Sequence, residues 1–571
     1  MLSKVKLPKI KIVEYVLFTL SIIFSSWLMF FTFSYANGNM LIAAKAWSDF
    51  ASHIPLIRSF SLGSNFPPEY PLFSGEPMRF HFLFYALVGL LEKIRVPFDY
   101  ALNIPSSLGF TGLILIIYFF SKKLFKSTMV GTLSVIFFLF NGSLSFLFFF
   151  NRHPIGVSTL TDIIKSNSFS SFGPYDNNIV SAFWNLNIYT NQRHLGLAFA
   201  LSLFLIYQIL KSVINQTKTL KQYMETPKVF SFIFGERLNT SSRFLFNSSL
   251  LGILLSTFFY LHIGVFAITT IILLTLAIFF QSIRFRIIII FLIGAIFSIP
   301  QYIYQDAGSN SFHLFLHPGY LITGKVTLIS FVNYWGMNLG AHLLFMMGGF
   351  VLVPTKMKKI FISFFSLFLI GNLFQFSPEI AGNHKFFNFF MIIGVMFSSF
   401  FLVKVWKEKI YLKPVVILCF FFLILSGIID FFPIYNDGKI TLYDYPINKD
   451  INWIKNNTPS NSVFLNSQYL YDSASLAGRK IFLGWPYFAW SAGYDTNQRG
   501  ELMKRILGEK DKNLLCQLLK QNKIDFIETK NDSALDPNYP VVSDIFSKQL
   551  SPVYTNNNYY IYKAKGNCKN I

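Results

Sequence analysis

Charged residues are scarce in this protein, at 13% of its 571 residues, whereas a soluble domain usually carries about 25%. Cysteine is scarcer still, and three residues cannot form a disulfide scaffold for a chain of this length. The sequence has no Walker motif and no Gly-x-Gly-x-x-Gly between a strand and a helix, so the usual nucleotide-binding signatures are missing. Its hydrophobic content of 53%, with 70 Phe, excludes disorder. These properties together indicate a polytopic membrane protein.

Apolar stretches of membrane-spanning length recur along the chain. A bilayer core of about 30 Å needs roughly 20 helical residues, and fewer where neighbouring helices shelter the segment. The segment 81–92 is too short to cross comfortably, so we place it at the membrane interface as a flat or re-entrant helix. The sequence therefore predicts a polytopic α-helical membrane protein with about eleven transmembrane helices. The predicted spans are 12–33, 104–120, 128–150, 194–210, 247–261, 264–280, 287–300, 334–353, 360–376, 387–403 and 414–431.

The net charge of +22 indicates how these spans are oriented. Lys and Arg in short loops face the cytoplasm. If the N-terminus is cytoplasmic, alternating the spans places every short basic cluster on that side. The basic excess is then a signal of membrane orientation, so we expect no nucleic-acid partner. The first apolar run has no small-residue cleavage site and is expected to be retained as a helix. The basic clusters lie at 122–126, 211–246, 284–286, 356–359 and 404–413.

The opposite side receives the loops 34–103, 151–193, 301–333 and 377–385. An odd number of spans places the C-terminal segment on this side too. Its strand-like and helical patterns predict a soluble α/β domain over 432–571, after a transmembrane domain over 1–431. Cys516 and Cys568 in this segment either pair in an oxidising compartment or remain thiols. Richness in Phe, Ile, Asn and Lys favours a bacterial or archaeal plasma membrane.

The long first external loop concentrates ionisable residues beside apolar helix ends. A carboxylate at a membrane face loses hydration, so such a concentration indicates a functional site. Helix capping by Asp49 and surface ion pairs among the others are the alternative. Further His and basic residues stand at the outer ends of later helices, where snorkelling to lipid headgroups is the alternative. The residues concerned are Asp49, His53, Glu69, Glu76, Arg79, His81, Arg193, His194, His262, His384 and Lys385.

Several segments carry a resemblance to a known family. They are Trp-Ser-Asp at 47–49, Pro-Pro-Glu-Tyr at 67–70, Glu-Pro-Met-Arg-Phe-His-Phe at 76–82, IPSSLGFTGLILIIYFFSKKLF at 104–125, and WIKNNTPSNSVFL and AGRKIFLGW in the C-terminal segment. With the order of spans and loops, they resemble the GT-C superfamily of polyprenyl-phosphate-sugar-dependent membrane glycosyltransferases. One departure is that the first loop contains no Asp-x-Asp or Glu-x-Asp pair.

The resemblance implies transfer of a hexosyl or pentosyl group from a polyprenyl-phosphate donor to a lipid, glycan or protein acceptor outside the membrane. It implies that Asp49 is the general base, since a carboxylate with a raised pKa can take the acceptor's proton. Glu69 and Glu76 would orient the acceptor or assist a divalent cation such as Mg or Mn. The predicted donor-phosphate ligands are Arg79, His81, Arg193, His194 and Lys385, with His53, His262 and His384 as further candidates.

The alternatives to a glycosyltransferase are a transporter and a non-catalytic scaffold. A transporter or flippase for lipid-linked sugars predicts ionisable residues at mid-membrane, whereas here they crowd the outer helix ends. A non-catalytic scaffold would leave Asp49, Arg79 and Arg193 without a shared role. His313 and His317 have the i, i+4 spacing of metal ligands on a helix, but no third ligand accompanies them in the sequence.

Overall fold

The computed structural model describes residues 12–171, 181–215, 223–225, 237–239, 241–306, 314–466, 470–530 and 542–568. Parts of the predicted basic loop 211–246 lie outside these ranges, and so does His313.

Long apolar helices form the body of the protein. Among the described residues, seven are long and apolar enough to cross a membrane: Ile12–Thr32, Phe98–Phe125, Leu195–Ile214, Ser242–Leu261, Gln281–Asp306, Ile380–Glu408 and Ile410–Tyr435. Shorter apolar helices cover Thr128–Leu139 and Ile263–Phe279, and a further helix covers Thr355–Leu373.

One pair of helices, Leu328–Leu339 and Ala341–Leu352, is bent by 93° and makes an eighth candidate span. The bend lies at Gly340, whose φ is +55°. A Cβ at this position would lie 2.0 Å from the Gly142 carbonyl oxygen, so only glycine permits the turn.

Helices occupy the predicted spans, but among the described residues fewer than eleven of them are long and apolar enough to count as membrane crossings. The span predicted over 128–150 is broken into the helices Thr128–Leu139 and Ser145–Arg152. Since seven or eight helices qualify by length and composition among the described residues, the number of eleven stays a prediction. The segment predicted to lie at the interface forms the 11-residue helix Leu83–Lys93.

The predicted basic clusters meet at one end of the helix bundle. Lys122, at the end of one span, forms an ion pair with Glu14, at the start of another. Phe125 stacks on Phe400 with ring centroids 4.7 Å apart, and Arg286 donates a hydrogen bond to the Gln208 carbonyl over 2.9 Å. These contacts agree with the predicted grouping of the loops. The compartment that each end faces stays a prediction.

The first loop and the C-terminal segment meet at the other end. The hairpin Phe33–Ala36 and Asn39–Ala43 pairs with strand Lys439–Tyr443 in a three-stranded antiparallel sheet. Asn39 lies opposite Tyr443, and Ala43 lies opposite Lys439. The first loop also contains helix Trp47–Ser61, whose residues are mostly buried. Because backbone hydrogen bonds join the two segments, they lie on the same side of the bundle.

The C-terminal segment contains a five-stranded mixed sheet. Its strands, in spatial order, are Tyr554–Asn556, Tyr559–Lys563, Phe526–Lys530, Val463–Leu465 and Lys480–Ile481. The last three strands run parallel to one another, and Tyr559–Lys563 is antiparallel to both of its neighbours. Helices cover Lys449–Asn457, Thr496–Gly508 and Lys512–Gln521. Cys516 and Cys568 form a disulfide, which decides the alternative that the sequence left open. The domain boundary at 431 stays a prediction.

Candidate active site

Asp49 lies in the first turn of helix Trp47–Ser61, where helix N–H groups favour a negative charge. Its side chain is half-buried and accepts a hydrogen bond from Asn191, while Lys385 attracts it electrostatically. Burial outweighs both of these effects and raises the pKa of Asp49 to about 6.

Two other segments approach the loop that carries Asp49. Asn191, from the segment 151–193, also donates to the Lys45 carbonyl over 3.0 Å and so joins this segment to the first loop. Tyr471, from the C-terminal segment, packs against Trp47 in a tilted arrangement with ring centroids 4.1 Å apart, and its hydroxyl donates a hydrogen bond to the Trp47 carbonyl over 2.5 Å. Burial, with a contribution from Asp49, raises the pKa of Tyr471. The tyrosine therefore stays neutral beside the carboxylate.

Three imidazoles form a compact group, which we call the histidine cluster: His81, His194 and His262. Their ring centroids are 4.2, 4.5 and 5.1 Å apart. They come from the first loop, the start of helix Leu195–Asn215 and the break between helices Ser242–Leu261 and Ile263–Phe279. Burial lowers the pKa of His81 and of His262 well below the ordinary value, so these rings are neutral.

Lys385 connects Asp49 to the histidine cluster. Its ammonium acts electrostatically on the Asp49 carboxylate and on all three clustered imidazoles. Its Nζ lies 3.3 Å from His384 Nε2. One carboxylate, one ammonium and several neutral imidazoles therefore share a single region at the end of the bundle.

The two remaining predicted histidines line the same region. His53, one helical turn after Asp49, stacks on Tyr85 with centroids 4.7 Å apart and lies 6.2 Å from His194. His384 stacks on Phe183 at 4.3 Å. Sequence reasoning brought both residues forward only as further candidates, because an isolated histidine carries little information about its neighbours.

Glu69, Glu76 and Arg79 have other partners. Glu69 forms an ion pair with Lys480 over 2.9 Å. Glu76 pairs with Arg79 over 3.7 Å, and Arg79 Nη1 donates to the Gly493 carbonyl over 2.7 Å. These contacts attach the first loop to the C-terminal segment. The acceptor, metal and phosphate roles of these three residues stay predictions, and the proposed site does not include them.

Arg193 is enclosed by neighbouring helices, and its predicted role at a phosphate stays a prediction outside the proposed site. Its side chain is 1% exposed, and its Nε donates to the Thr190 carbonyl over 2.7 Å. Its Nη1 donates to Asn103 Oδ1 (3.1 Å) and its Nη2 to Thr32 Oγ1 (2.8 Å), and both nitrogens also reach the Met29 carbonyl. All of its donors are occupied, so none is left for a phosphate. Arg193 instead closes the carbonyl end of the first helix, where a cation is favoured.

Tyr85, Asn191 and Tyr471 are the residues that sequence reasoning missed. Asn191 stands in the polar, aromatic run FWNLNIYTNQRH, which was a signal for this loop. Tyr85 lies inside the apolar segment 81–92, where no sequence pattern distinguishes its hydroxyl as functional. Tyr471 is far from the site in sequence and approaches it only through the packing of the C-terminal segment.

Comparisons with known proteins identify the class of fold. No family model matches the chain, and no curated protein matches it in sequence. Among solved structures, the chain is similar to the apo crystal structure of the Archaeoglobus fulgidus oligosaccharyltransferase, with a TM-score of 0.51 and 10% identity, over 90% of this chain and 69% of that one. At 10% identity the likeness shows the fold alone, so this chain shares the fold of that oligosaccharyltransferase.

A second similar structure is the mycobacterial arabinofuranosyltransferase AftD, with a TM-score of 0.49 and 10% identity. The match covers 96% of this chain and 41% of AftD, so the chain spans less than half of that protein. The fold and the apolar helices together make this a multi-pass membrane protein.

Proposed function

We propose that this protein is a membrane glycosyltransferase that moves a hexosyl or pentosyl group from a polyprenyl-phosphate donor to a lipid, glycan or protein acceptor. The observation that carries the proposal is the Asp49 carboxylate, with a pKa of about 6, set beside Lys385. The GT-C fold supports it as the class of protein in which such chemistry is carried out. The fold comparison lends no support to the transporter alternative.

Asp49 acts as the general base. The acceptor hydroxyl attacks the anomeric carbon of the donor sugar and loses its proton to the Asp49 carboxylate. A new carbon–oxygen bond forms, while the bond from the anomeric carbon to the phosphate oxygen breaks. A pKa of about 6 suits this step, because the carboxylate is mostly ionised at neutral pH and still basic enough to accept a proton.

The lipid phosphate departs with the bonding electron pair and needs positive charge and hydrogen-bond donors. Lys385 supplies both, because its ammonium carries the charge and has three N–H donors. His384 and His53 line this region with the histidine cluster.

The position of the site at one end of the bundle matches the chemistry of such a donor. A polyprenyl chain remains in the bilayer, so its phosphate is met at the membrane surface. We propose a plasma membrane location, with the N-terminus in the cytoplasm, eleven crossings, and the first loop and C-terminal domain outside. The basic excess at the opposite end supports this orientation.

Asp49→Asn tests the proposed base. The purified protein is incubated with a panel of polyprenyl-phosphate sugars, and donor consumption is measured. We expect one donor to be consumed by the unaltered protein and none by the variant, with expression and membrane insertion unchanged. A matched control is Asp162→Asn, since Asp162 lies in another predicted external loop and bonds only locally, to Ser158 Oγ over 2.8 Å. Undiminished turnover by Asp49→Asn would remove the assignment.

The pH profile is a second readout of the same residue. Because the ionised carboxylate is the active form, and burial raises its pKa to about 6, the transfer rate should rise through that pH and level off above it. Activity that is flat between about pH 5 and 7 would contradict Asp49 as the base.

A further inference from the structure

The histidine cluster has a property that glycosyl transfer by Asp49 does not require. The potential ligand nitrogens of His81, His194 and His262 all lie within 4.8 Å of one another. Within the described ranges, no other group of three His, Cys, Asp or Glu residues comes together in this way. The cluster contains imidazoles alone and no carboxylate.

The nitrogens that meet here are buried and lack hydrogen-bond partners. They are Nε2 of His81, Nε2 of His194 and both ring nitrogens of His262. The last two side chains are 1% and 4% exposed. A buried polar atom without a partner destabilises the folded state, so native proteins rarely keep several of them in one place without a ligand. The lack of partners is a sign of a bound ligand that is independent of the short distances between the nitrogens.

Tyr85 orients one of these rings. Its hydroxyl lies 2.8 Å from His194 Nδ1. When Nδ1–H donates to the hydroxyl, the lone pair of Nε2 is left on the side of the unpartnered nitrogens. Metal-binding histidines commonly have their other ring nitrogen held in this way.

The ligand set selects the metal. Imidazole nitrogen suits borderline ions such as Zn²⁺, whereas Mg²⁺ and Mn²⁺ prefer oxygen. The carboxylates that would serve a Mg²⁺ or Mn²⁺ site do not fit, since Glu69 and Glu76 pair with Lys480 and Arg79. We propose that His81, His194 and His262 bind a zinc-class divalent ion through three nitrogens. This site rests on the imidazoles themselves and holds whether or not Asp49 is the base.

Three protein ligands leave one position open on a tetrahedral ion. Lys385 adds a positive charge beside the cluster. The ion and the ammonium together favour an anionic oxygen, from a phosphate or from a bound hydroxide, in the open position.

Metal analysis of the full-length protein tests the site. The protein is purified through a tag without histidine, stripped with a chelator, dialysed against Zn²⁺ and analysed for metal by mass spectrometry. We expect about one zinc per chain, with loss of that zinc in His81→Gln, His194→Gln and His262→Gln. Matched controls are His342→Gln, a buried histidine outside the cluster, and His153→Gln, an exposed one. Zinc content that is equal in cluster and control variants overturns the proposal.

A spectroscopic measurement on the unaltered protein keeps the test valid if the variants do not fold. Co²⁺ in a four-coordinate nitrogen site gives strong visible absorption. We expect this absorption after Co²⁺ addition, with loss on adding equimolar Zn²⁺ and no loss in a large excess of Mg²⁺. No absorption, or displacement of Co²⁺ by Mg²⁺, contradicts a zinc-class site.

Tyr85→Phe separates positioning from ligation. Loss of the hydroxyl frees His194 to rotate, so zinc affinity should fall about 10–100-fold while one zinc still binds at saturation. The melting temperature of the metal-free protein is measured in parallel. A fall in that temperature with unchanged zinc affinity would show that Tyr85 has only a packing role.

Discussion

At the scale of single residues, environment decides what a charge can do. Arg193 and Lys385 both stand at the outer end of a helix, and both were predicted to bind phosphate. The guanidinium of Arg193 is enclosed by carbonyls and side-chain oxygens of other helices. Lys385 instead lies near the Asp49 carboxylate and the neutral imidazole of His81. Only the second arrangement leaves a cation available to a ligand.

Arg193→Lys should therefore reduce stability and not chemistry. A lysine has three donors and cannot satisfy Thr32, Asn103 and the helix carbonyls together. We expect a loss of about 2–4 kcal/mol in the free energy of unfolding, seen as a lower melting temperature. Arg152→Lys, at an exposed helix end, is the control and should leave the melting temperature unchanged. A variant that melts normally but fails to consume donor would contradict the structural role and restore Arg193 to the site.

At the scale of elements, a buried ionic network positions the helix that carries Asp49. Arg58, in helix Trp47–Ser61, bonds Glu92 at the end of helix Leu83–Lys93 over 2.8 Å. It also bonds Asp444, which follows strand Lys439–Tyr443, over 2.5 Å. Burial disfavours the guanidinium charge, but the two carboxylates outweigh this and raise the pKa of Arg58. Helix Trp47–Ser61, helix Leu83–Lys93 and the C-terminal segment are therefore joined at one charged side chain.

Asp444→Asn should detach these elements. Arg58 then keeps Glu92 as a counter-charge but loses its fully buried partner, and the expected cost is about 1–3 kcal/mol in the free energy of unfolding. Thermal melting and limited proteolysis between the last helix and the C-terminal sheet would report it. The control is Asp544→Asn, which breaks the exposed pair with Lys548 and should leave the melting temperature unchanged. If both variants melt alike, the network does not hold the elements together.

At the scale of the whole molecule, charge separates along the bundle. Basic clusters meet at one end, and Asp49 with the histidine cluster lies at the other, between the first loop and the C-terminal segment. This separation follows the inside-positive rule if the basic end faces the cytoplasm. The disulfide between Cys516 and Cys568 accords with an oxidising compartment at the opposite end.

Single-cysteine labelling tests this orientation. Cys419 is the free thiol among the described residues and is first replaced by serine. Asn457→Cys, on the exposed end of a C-terminal helix, should then react with a membrane-impermeant maleimide in intact cells. Lys409→Cys, an exposed position at the basic end, should react only after permeabilisation. The reverse pattern would invert the proposed topology.

Much of the architecture could be predicted from the sequence because it depends on local composition. Apolar runs mark helices wherever a bilayer replaces water, and basic loops group together because they share a compartment. Asp49 stood out for the same reason, as a carboxylate beside an apolar helix end. The number of crossings could not be predicted in the same way. Helices such as Thr128–Leu139 are apolar but shorter than a full span, so composition alone does not decide whether they cross the membrane.

The composition of the site depended on the tertiary structure. Residues 81, 194 and 262 lie far apart in the chain, and no periodicity relates them. The local pattern of a helix reports which face is buried but not which other face it meets, so neither the histidine cluster nor the approach of Tyr471 could be foreseen. For the same reason, Arg193 and Lys385 looked alike in sequence. The sequence by itself determined a membrane protein with a carboxylate at one helix end, and only packing decided which charges and rings surround that carboxylate.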